Sequence, residues 1–219
     1  MTRSELARML DHSVLKPEST ADNIRAGIDV VRVWRIGYFC VQPCWVKLAA
    51  GALDGVDAGV VSVVGFPHGA DRAETKTHAA VLAQTDGARE IDTVLNIGAL
   101  KSGAHAEAAA DIAAVVRAVA GLPVKVIVEA AALTDDEKRL ACRLAVDAGA
   151  AFVKTSTGFH PAGGATVADV RLMRAVVGPQ VGVKASGGIR TLADALAMIA
   201  AGANRIGTSA SASILAALG

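Results

Sequence analysis

The feature that most limits how this chain can fold is a pattern that repeats eight times along it. Each repeat has a short β-branched run, a turn of Gly, Pro, Ser or Asp, and an Ala-rich stretch of helical character. The predicted strands are Asp11–Leu15, Tyr38–Val41, Gly59–Val64, Glu90–Leu95, Val124–Glu129, Ala151–Thr155, Val181–Ala185 and Asn204–Gly207. Their first residues lie about 28 positions apart, close to the roughly 31 per unit of an eight-unit barrel. The pattern predicts a (β/α)8 barrel, or TIM barrel, formed by residues 1–219 as a single domain.

The first strand is the least regular of the eight, because Asp11 and His12 interrupt its apolar run. Without that strand, an open seven-stranded α/β sheet is the alternative architecture. An extra helix is predicted at Ser4–Leu10, ahead of the first strand. We expect this helix to close the bottom of the barrel, where open strand ends would expose apolar side chains to water.

Composition excludes several classes of function. The chain has 22 Lys and Arg against 21 Asp and Glu, so no overall field attracts it to nucleic acid or to an acidic membrane. Apolar runs such as Val60–Val64 are far shorter than the about 20 residues that span a bilayer. Cys40, Cys44 and Cys142 are an odd number in a chain without a secretory apolar segment. We therefore expect three free thiols and a cytoplasmic location.

Charged residues stand in strands that should be almost wholly apolar, since a buried charge costs several kcal/mol unless it is paired. The exceptions are Asp92, Lys125, Glu129, Lys154, Lys184 and Arg205. Lys154 and Lys184 occupy equivalent places on strands six and seven, so both ammonium groups can enter one cavity at the C-terminal mouth. Two lysines in one such cavity disfavour each other's protonation, which lowers a pKa from about 10.4. The resulting free amine is a nucleophile for carbonyl compounds.

A purely structural interpretation stays open for these charges. In it, each lysine forms an ion pair with a carboxylate such as Asp92 or Glu129, although two lysines at matching positions favour a functional role. Asp92 is either such a partner or a general acid/base. Lys125 and Glu129 are predicted to be structural or supporting residues. Asp11 and Lys16 are candidates for hydrogen bonds to a substrate at the mouth of strand one, with a solvated Lys16 as the alternative.

Two glycine-containing loops follow strands seven and eight, where barrels of this kind often hold phosphate. The first is Ser186-Gly187-Gly188-Ile189-Arg190 and the second is Gly207-Thr208-Ser209. Glycine lets the backbone approach a phosphate closely, and the amides and hydroxyls are donors. Gly158 adds a possible third loop, while Arg190 and Arg205 are either electrostatic aids or solvated surface charges. The pattern favours a small phosphorylated substrate.

Six segments together resemble the deoxyribose-phosphate aldolase family, in order from about Leu10 to the C-terminus. They are LDHSVLKPEST, EIDTVLNIGAL, VKVIVEAAALTDDEK, FVKTSTGF, VGVKASGGIRTLADAL and RIGTSAS. The resemblance implies a (β/α)8 class I aldolase that uses no metal and no cofactor. Its reaction would be the reversible cleavage of 2-deoxy-D-ribose 5-phosphate into acetaldehyde and D-glyceraldehyde 3-phosphate. We also expect a homo-oligomer, either a dimer or a tetramer, and neither a nucleic-acid nor a membrane partner.

The resemblance also implies residue roles. Lys154 matches the Schiff-base lysine, Lys184 the second lysine that perturbs it and takes part in proton transfer, and Asp92 the acid/base carboxylate. The phosphate-loop positions are matched by Gly158, Gly187, Gly188, Gly207 and Ser209. Cys40 matches a cysteine near the family's pocket, although a buried free cysteine is usually a small apolar residue.

Some positions depart from the family pattern. Ala210 stands where relatives often have a second serine, which predicts weaker phosphate binding. Ala130, Ala131 and Gln42 replace other residues near the pocket. The sequence stops at Gly219 without the tyrosine-ending tail of many relatives, so we expect slower enamine protonation. Two other functions stay open: a phosphosugar isomerase or synthase without an imine, and a non-catalytic phosphate-binding barrel.

Overall fold

The computed structural model describes residues 1–218 and shows eight parallel strands that close in chain order into a barrel. The strands are β1 Leu10–Val14, β2 Tyr38–Val41, β3 Gly59–Val64, β4 Glu90–Val94, β5 Val124–Ile127, β6 Phe152–Lys154, β7 Gly182–Ser186 and β8 Arg205–Thr208. The helices are α1 Arg3–Arg8, α2 Ala21–Trp34, α3 Val46–Ala52, α4 Ala73–Thr85, α5 Ile97–Lys101, α6 His105–Ala118, α7 Asp135–Asp147, α8 Val167–Val177, α9 Leu192–Ala200 and α10 Ser211–Ala216. The predicted TIM barrel is confirmed.

The first strand forms in spite of its polar residues, which excludes the seven-stranded alternative. β1 pairs with β2 on one side and with β8 on the other, and this second pairing closes the barrel. Asp11 is fully buried, with ion pairs to Lys184 and Arg205. The side chain of His12, the next residue, lies on the opposite face of the strand and stacks on Phe39. Each polar side chain therefore has a partner, which makes its burial tolerable.

The extra N-terminal helix is confirmed as α1, capped by Thr2 and Glu5. It packs against α10, and its Leu6 is fully buried. Its predicted role in closing the bottom of the barrel stays a prediction.

The strand register arranges the inward side chains in three layers, as alternate strands do in this fold. From the N-terminal end to the C-terminal end, the layers are Tyr38, Glu90, Phe152 and Arg205, then Asp11, Val61, Lys125 and Lys184, then Cys40, Asp92, Lys154 and Gly207. Seven of these twelve residues are Asp, Glu, Lys or Arg. The barrel interior is thus polar, while the apolar core lies between strands and helices.

Two further observations bear on the predictions from composition. Cys40, Cys44 and Cys142 are all free thiols, as expected. Over the described part of the chain, no helix has both the length and the apolar character needed to cross a bilayer.

Candidate active site

A cavity of about 780 Å³ opens at the C-terminal ends of the strands. Lys154 and Lys184 line its floor, and the loops after β6, β7 and β8 line its wall. The five residues predicted to bind substrate all border it, namely Gly158, Gly187, Gly188, Gly207 and Ser209. The structure therefore brings the predicted lysines and the predicted phosphate loops together in one site.

The two lysines share one oxygen of Asp92. Lys154 and Lys184 are register partners on β6 and β7, and their Nζ atoms donate to Oδ2 of Asp92 at 2.8 and 2.7 Å. Lys125 donates to the other oxygen, Oδ1, at 2.8 Å. The two lysines thus converge as predicted. Asp92 also forms the ion pairs with them that the purely structural interpretation expected.

The pKa values of the two lysines shift in opposite directions. For Lys154, burial lowers the pKa; Asp92 opposes this, and the positive charge of Lys184 adds to the lowering, so that the pKa lies below the usual value. For Lys184, burial also lowers the pKa, but Asp11 and Asp92 outweigh it and raise the pKa. The expectation that each lysine lowers the other's pKa therefore holds for Lys154 alone. Lys184 stays charged because it has two carboxylates as neighbours.

Asp92 is an ionised carboxylate beneath the lysines. Burial alone would raise its pKa, but Lys125, Lys154 and Lys184 hold the pKa well below the ordinary value. The side chain is fully buried, and the residues that line the cavity in the described chain do not include it. Any proton that Asp92 exchanges with a bound molecule would therefore travel through a lysine or water.

One predicted position proves to be wrong and another lies deeper than expected, because the interior layers hold more charge than the sequence indicated. Asp11 lines the cavity, but it does so from the middle layer inside the barrel, with Oδ1 accepting from Arg205 at 2.8 Å. Arg205 is neither a phosphate aid nor a surface charge. Its guanidinium lies 3.4 Å from the centroid of the Tyr38 ring and donates to both oxygens of Glu90. Glu90 was missed by the sequence analysis, although it shares strand parity with Asp92.

Three glycines give the predicted phosphate loops their shape. Gly158, Gly187 and Gly188 have φ angles of 83°, 87° and 81°, a backbone conformation that residues other than glycine rarely adopt. A Cβ on Gly187 would also lie 3.0 Å from the backbone of Gly164. Gly207 differs, because it lies within β8 and its missing Cβ leaves room for Lys184 Cε, which would be 3.1 Å away.

The predicted supporting residues have such roles. Glu129 accepts hydrogen bonds from the backbone N–H and the hydroxyl of Thr157, which fixes the loop after β6. Lys125 donates to Glu90 at 2.6 Å as well as to Asp92. Neither Glu129 nor Lys125 lines the cavity among the described residues. Glu129 holds Thr157, which does line the cavity, and Lys125 holds Asp92, which contacts the two cavity lysines.

Other side chains at the cavity wall are neutral or exposed. Cys40 lines the cavity, and burial raises the pKa of its thiol to about 11, so it is uncharged at neutral pH. Lys16 and Arg190 lie on the exposed rim. The N–H of Ala210 donates to Thr208 Oγ1 and is not free for a ligand. Within residues 1–218, no three His, Cys, Asp or Glu side chains are grouped so that they could hold a metal ion.

His12 borders the cavity as a neutral imidazole. Ser211 Oγ donates to the carbonyl of Thr208 at 3.4 Å and lies 3.1 Å from Nδ1 of His12, so it accepts from that nitrogen. Burial lowers the pKa of His12 to about 4. The unfolded chain therefore binds more protons than the folded protein between about pH 6.5 and pH 4.

We expect the free energy of unfolding to fall as pH drops through this range, by about 2 kcal/mol at pH 5 from His12. His12→Leu should flatten that dependence, and His105→Leu, at an exposed site, should leave it unchanged. Urea denaturation at pH 7.5 and pH 5 measures both. Parallel slopes for the parent and His12→Leu would show that His12 is not the titrating group.

Comparison with known proteins yields one family. The sequence matches the model of the DeoC/LacD family of aldolases over residues 5–215. It is 54% identical over 212 residues to deoxyribose-phosphate aldolase 1 of Bacillus licheniformis, covering 96% of this chain and 95% of the relative. It is 51% identical over 212 residues to deoxyribose-phosphate aldolase of Enterococcus faecalis, covering 96% of each.

A solved structure is similar over the same extent. The tetrameric deoxyribose phosphate aldolase of Aeropyrum pernix superposes with a TM-score of 0.92 at 30% identity, covering 99% of this chain and 92% of that one. The resemblance predicted from the sequence motifs is thus confirmed over nearly the whole length.

Proposed function

Because this chain belongs to the DeoC/LacD family of aldolases, we propose that it reversibly cleaves 2-deoxy-D-ribose 5-phosphate into acetaldehyde and D-glyceraldehyde 3-phosphate. Lys154 is the Schiff-base residue in this proposal, and Lys184 and Asp92 serve proton transfer. The relatives' names supply the substrate, and the cavity supplies a place for it. The reaction needs no cofactor, since the imine itself withdraws the electrons.

One observation carries the proposal more than any other. Lys154 and Lys184 contact the same Asp92 oxygen, yet the pKa is lowered for Lys154 and raised for Lys184. A lysine with a lowered pKa beside a lysine that stays charged is the arrangement that imine chemistry requires, because one group attacks while the other holds and donates a proton.

The first half of the reaction forms the imine. The neutral Nζ of Lys154 adds to C1 of the open-chain aldehyde, giving a carbinolamine. Its hydroxyl leaves as water after accepting a proton, and the product is a protonated imine between Nζ and C1. Lys184, on the cavity floor beside Lys154, is placed to donate that proton and to recover it from the next step.

The second half breaks a carbon–carbon bond. Acetaldehyde takes C1 and C2, so the C2–C3 bond is the one that breaks. The C3 hydroxyl gives its proton to Lys184, which became neutral when it protonated the departing hydroxyl. The electrons of the O–H bond form the new carbonyl of D-glyceraldehyde 3-phosphate, and the C2–C3 pair moves into an enamine. The enamine gains a proton at C2 from the Lys184 and Asp92 group through water. Hydrolysis of the imine then releases acetaldehyde and restores the amine.

The glycine loops are assigned to the phosphate. Gly187, Gly188 and Ser209 border the same cavity as the lysines, and Gly158 adds a loop from the neighbouring strand. Backbone N–H groups in such loops form concave sites for anions. The charged end of the substrate would lie on these loops, which directs its aldehyde carbon toward Lys154.

Gly187→Ala tests the loop assignment. The added Cβ meets Gly164 and requires a φ of 87°, so the loop must shift. We expect KM for the phosphorylated substrate to rise about tenfold, which corresponds to the loss of one hydrogen bond to a charged group, with little change for 2-deoxyribose without phosphate. Gly103→Ala is the matched control, since Gly103 has a φ of 77° and open space around it. Equal KM changes for both sugars would contradict the assignment.

The reaction itself is tested by acetaldehyde release. Purified protein is mixed with 2-deoxy-D-ribose 5-phosphate, and acetaldehyde is followed through alcohol dehydrogenase and NADH. Release that depends on the protein supports the aldolase. Conversion of the sugar phosphate into an isomer without acetaldehyde supports the isomerase alternative, and tight binding without conversion supports a non-catalytic barrel.

Assembly and location complete the proposal. We expect a homo-oligomer, as in the tetrameric relative from Aeropyrum pernix, and light scattering of the purified protein measures its mass. Three free thiols suit a reducing cytoplasm. The whole chain is proposed to act as one barrel domain.

A further inference from the structure

Six charged side chains form a closed ring inside the barrel, below Lys154. In ring order they are Asp92, Lys184, Asp11, Arg205, Glu90 and Lys125. Lys125 returns to Asp92, so the ring closes where it began. Anions and cations alternate at every step. Each member is at least nine-tenths buried, so water screens the ring little.

The ring is neutral without Lys154. It contains three carboxylates and three cations, and Lys154 is a fourth cation that contacts Asp92 Oδ2 from outside, where Lys184 is already bound. Protonated Lys154 would therefore be one positive charge in excess among the described interior groups. A net charge in a low-dielectric interior costs far more than a neutral set.

We propose that Lys125 and Arg205 are positioning residues for the aldol reaction, because they complete a neutral ring that leaves Lys154 without a counter-charge of its own. This inference rests on the proposed function of Lys154. Neither residue touches the cavity among the lining residues described. They act from below Lys154, toward the N-terminal end of the barrel: Lys125 through Asp92, and Arg205 through Asp11 and Glu90.

The surroundings of Lys154 contain no other charged group that would obscure this effect in the described chain. From β4 it faces Asp92, and from β7 it faces Lys184. From β2 it faces Cys40, whose thiol is neutral at working pH because burial raises its pKa to about 11. The remaining ionisable groups of the interior belong to the ring itself.

The test changes the charge of the ring without touching the lysines of the site. Lys125→Met removes one cation and leaves the ring with one negative charge in excess, which favours protonation of Lys154. The acid limb of the pH profile of kcat/KM should move to higher pH by about one unit or more. Adding Glu90→Gln removes one anion and restores neutrality. The double variant K125M/E90Q should therefore return the limb close to the parent position.

Arg205→Met and the double variant R205M/E90Q repeat the test from the other side of the ring. The shift should have the same sign and be smaller, because Arg205 lies in the layer farthest from Lys154. This second pair also decides the matter if Lys125→Met does not fold. Unfolding in urea, measured on every variant, separates loss of structure from a shift of the pH profile.

Two results would overturn the inference. One is a single variant that folds and keeps the parent's acid limb, and the other is a double variant that keeps the shifted limb of its single variant. Trapping of the substrate on Lys154 by borohydride in the parent protein shows separately whether the proposed function holds. If borohydride traps the substrate on Lys154 and the acid limbs of the variants do not move, only the inference about the ring is rejected. If no protein shows trapping, the proposed function is rejected.

Discussion

Lys154→Leu should lower kcat/KM for 2-deoxy-D-ribose 5-phosphate by at least about 10⁴-fold, since removal of a nucleophile takes away the whole covalent route. The fold should persist. Asp92 keeps Lys125 and Lys184 as partners, and the ring of charges beneath Lys154 is neutral without it. We expect the free energy of unfolding to stay within about 1 kcal/mol of the parent or to rise.

The measurements are acetaldehyde release and urea denaturation on the same preparation. Lys101→Leu is the matched control, because Lys101 is a half-exposed lysine paired with Glu137 on the surface, and its loss should leave kcat/KM unchanged. A Lys154→Leu protein that retains a tenth or more of the activity would rule out Lys154 as the Schiff-base residue.

Lys184→Leu should reduce both activity and stability. Lys184 is 1% exposed and lies between Asp11 and Asp92, so its loss leaves two buried carboxylates short of a cation. Removing one partner of a buried pair costs about 3–5 kcal/mol. The loss of proton transfer, together with a more fully protonated Lys154, should lower kcat/KM by about 10³-fold.

A second variant separates these two effects. K184L/D11N removes one anion together with the cation, so the neutral charge of the ring is restored and much of the stability should return. Activity should stay low, because no ammonium remains beside Lys154 to carry the proton. If the double variant regains activity in step with stability, Lys184 is a structural residue only.

The fold was predictable because its signals are local and repeated. β2 and β3 begin and end at the predicted residues, since each β-branched run is bounded by turn residues. β5 ends at Ile127 and not at Glu129, because Glu129 adopts a left-handed conformation with φ of 55° to reach the loop after β6. That turn depends on the hydrogen bonds between Glu129 and Thr157. Thr157 is distant in the sequence, so the residues around Glu129 do not predict the turn.

The site was predictable where a single strand carries the signal, and not where strands distant in the chain meet. Lys154 and Lys184 stand out because lysine is rare in a buried parallel strand and the two sit at matching positions. Asp11 and Arg205 meet across 194 positions of the chain, and only closure of the barrel makes them neighbours. Strand parity could have revealed Glu90, which precedes Asp92 by two residues and so faces the same way. The unequal pKa shifts of the two lysines depend on Asp11, which raises the pKa of Lys184 and is not among the causes for Lys154.

The most direct test of the account is covalent trapping of the imine. The protein is mixed with 2-deoxy-D-ribose 5-phosphate, reduced with sodium borohydride, digested and examined by peptide mass spectrometry, with Lys154→Leu treated in parallel. The account predicts a substrate-derived group, including an ethyl group from acetaldehyde, on the Lys154 peptide of the parent and no corresponding label at that peptide in the variant. Turnover that borohydride does not inhibit, or a label on Lys184 in place of Lys154, would contradict it.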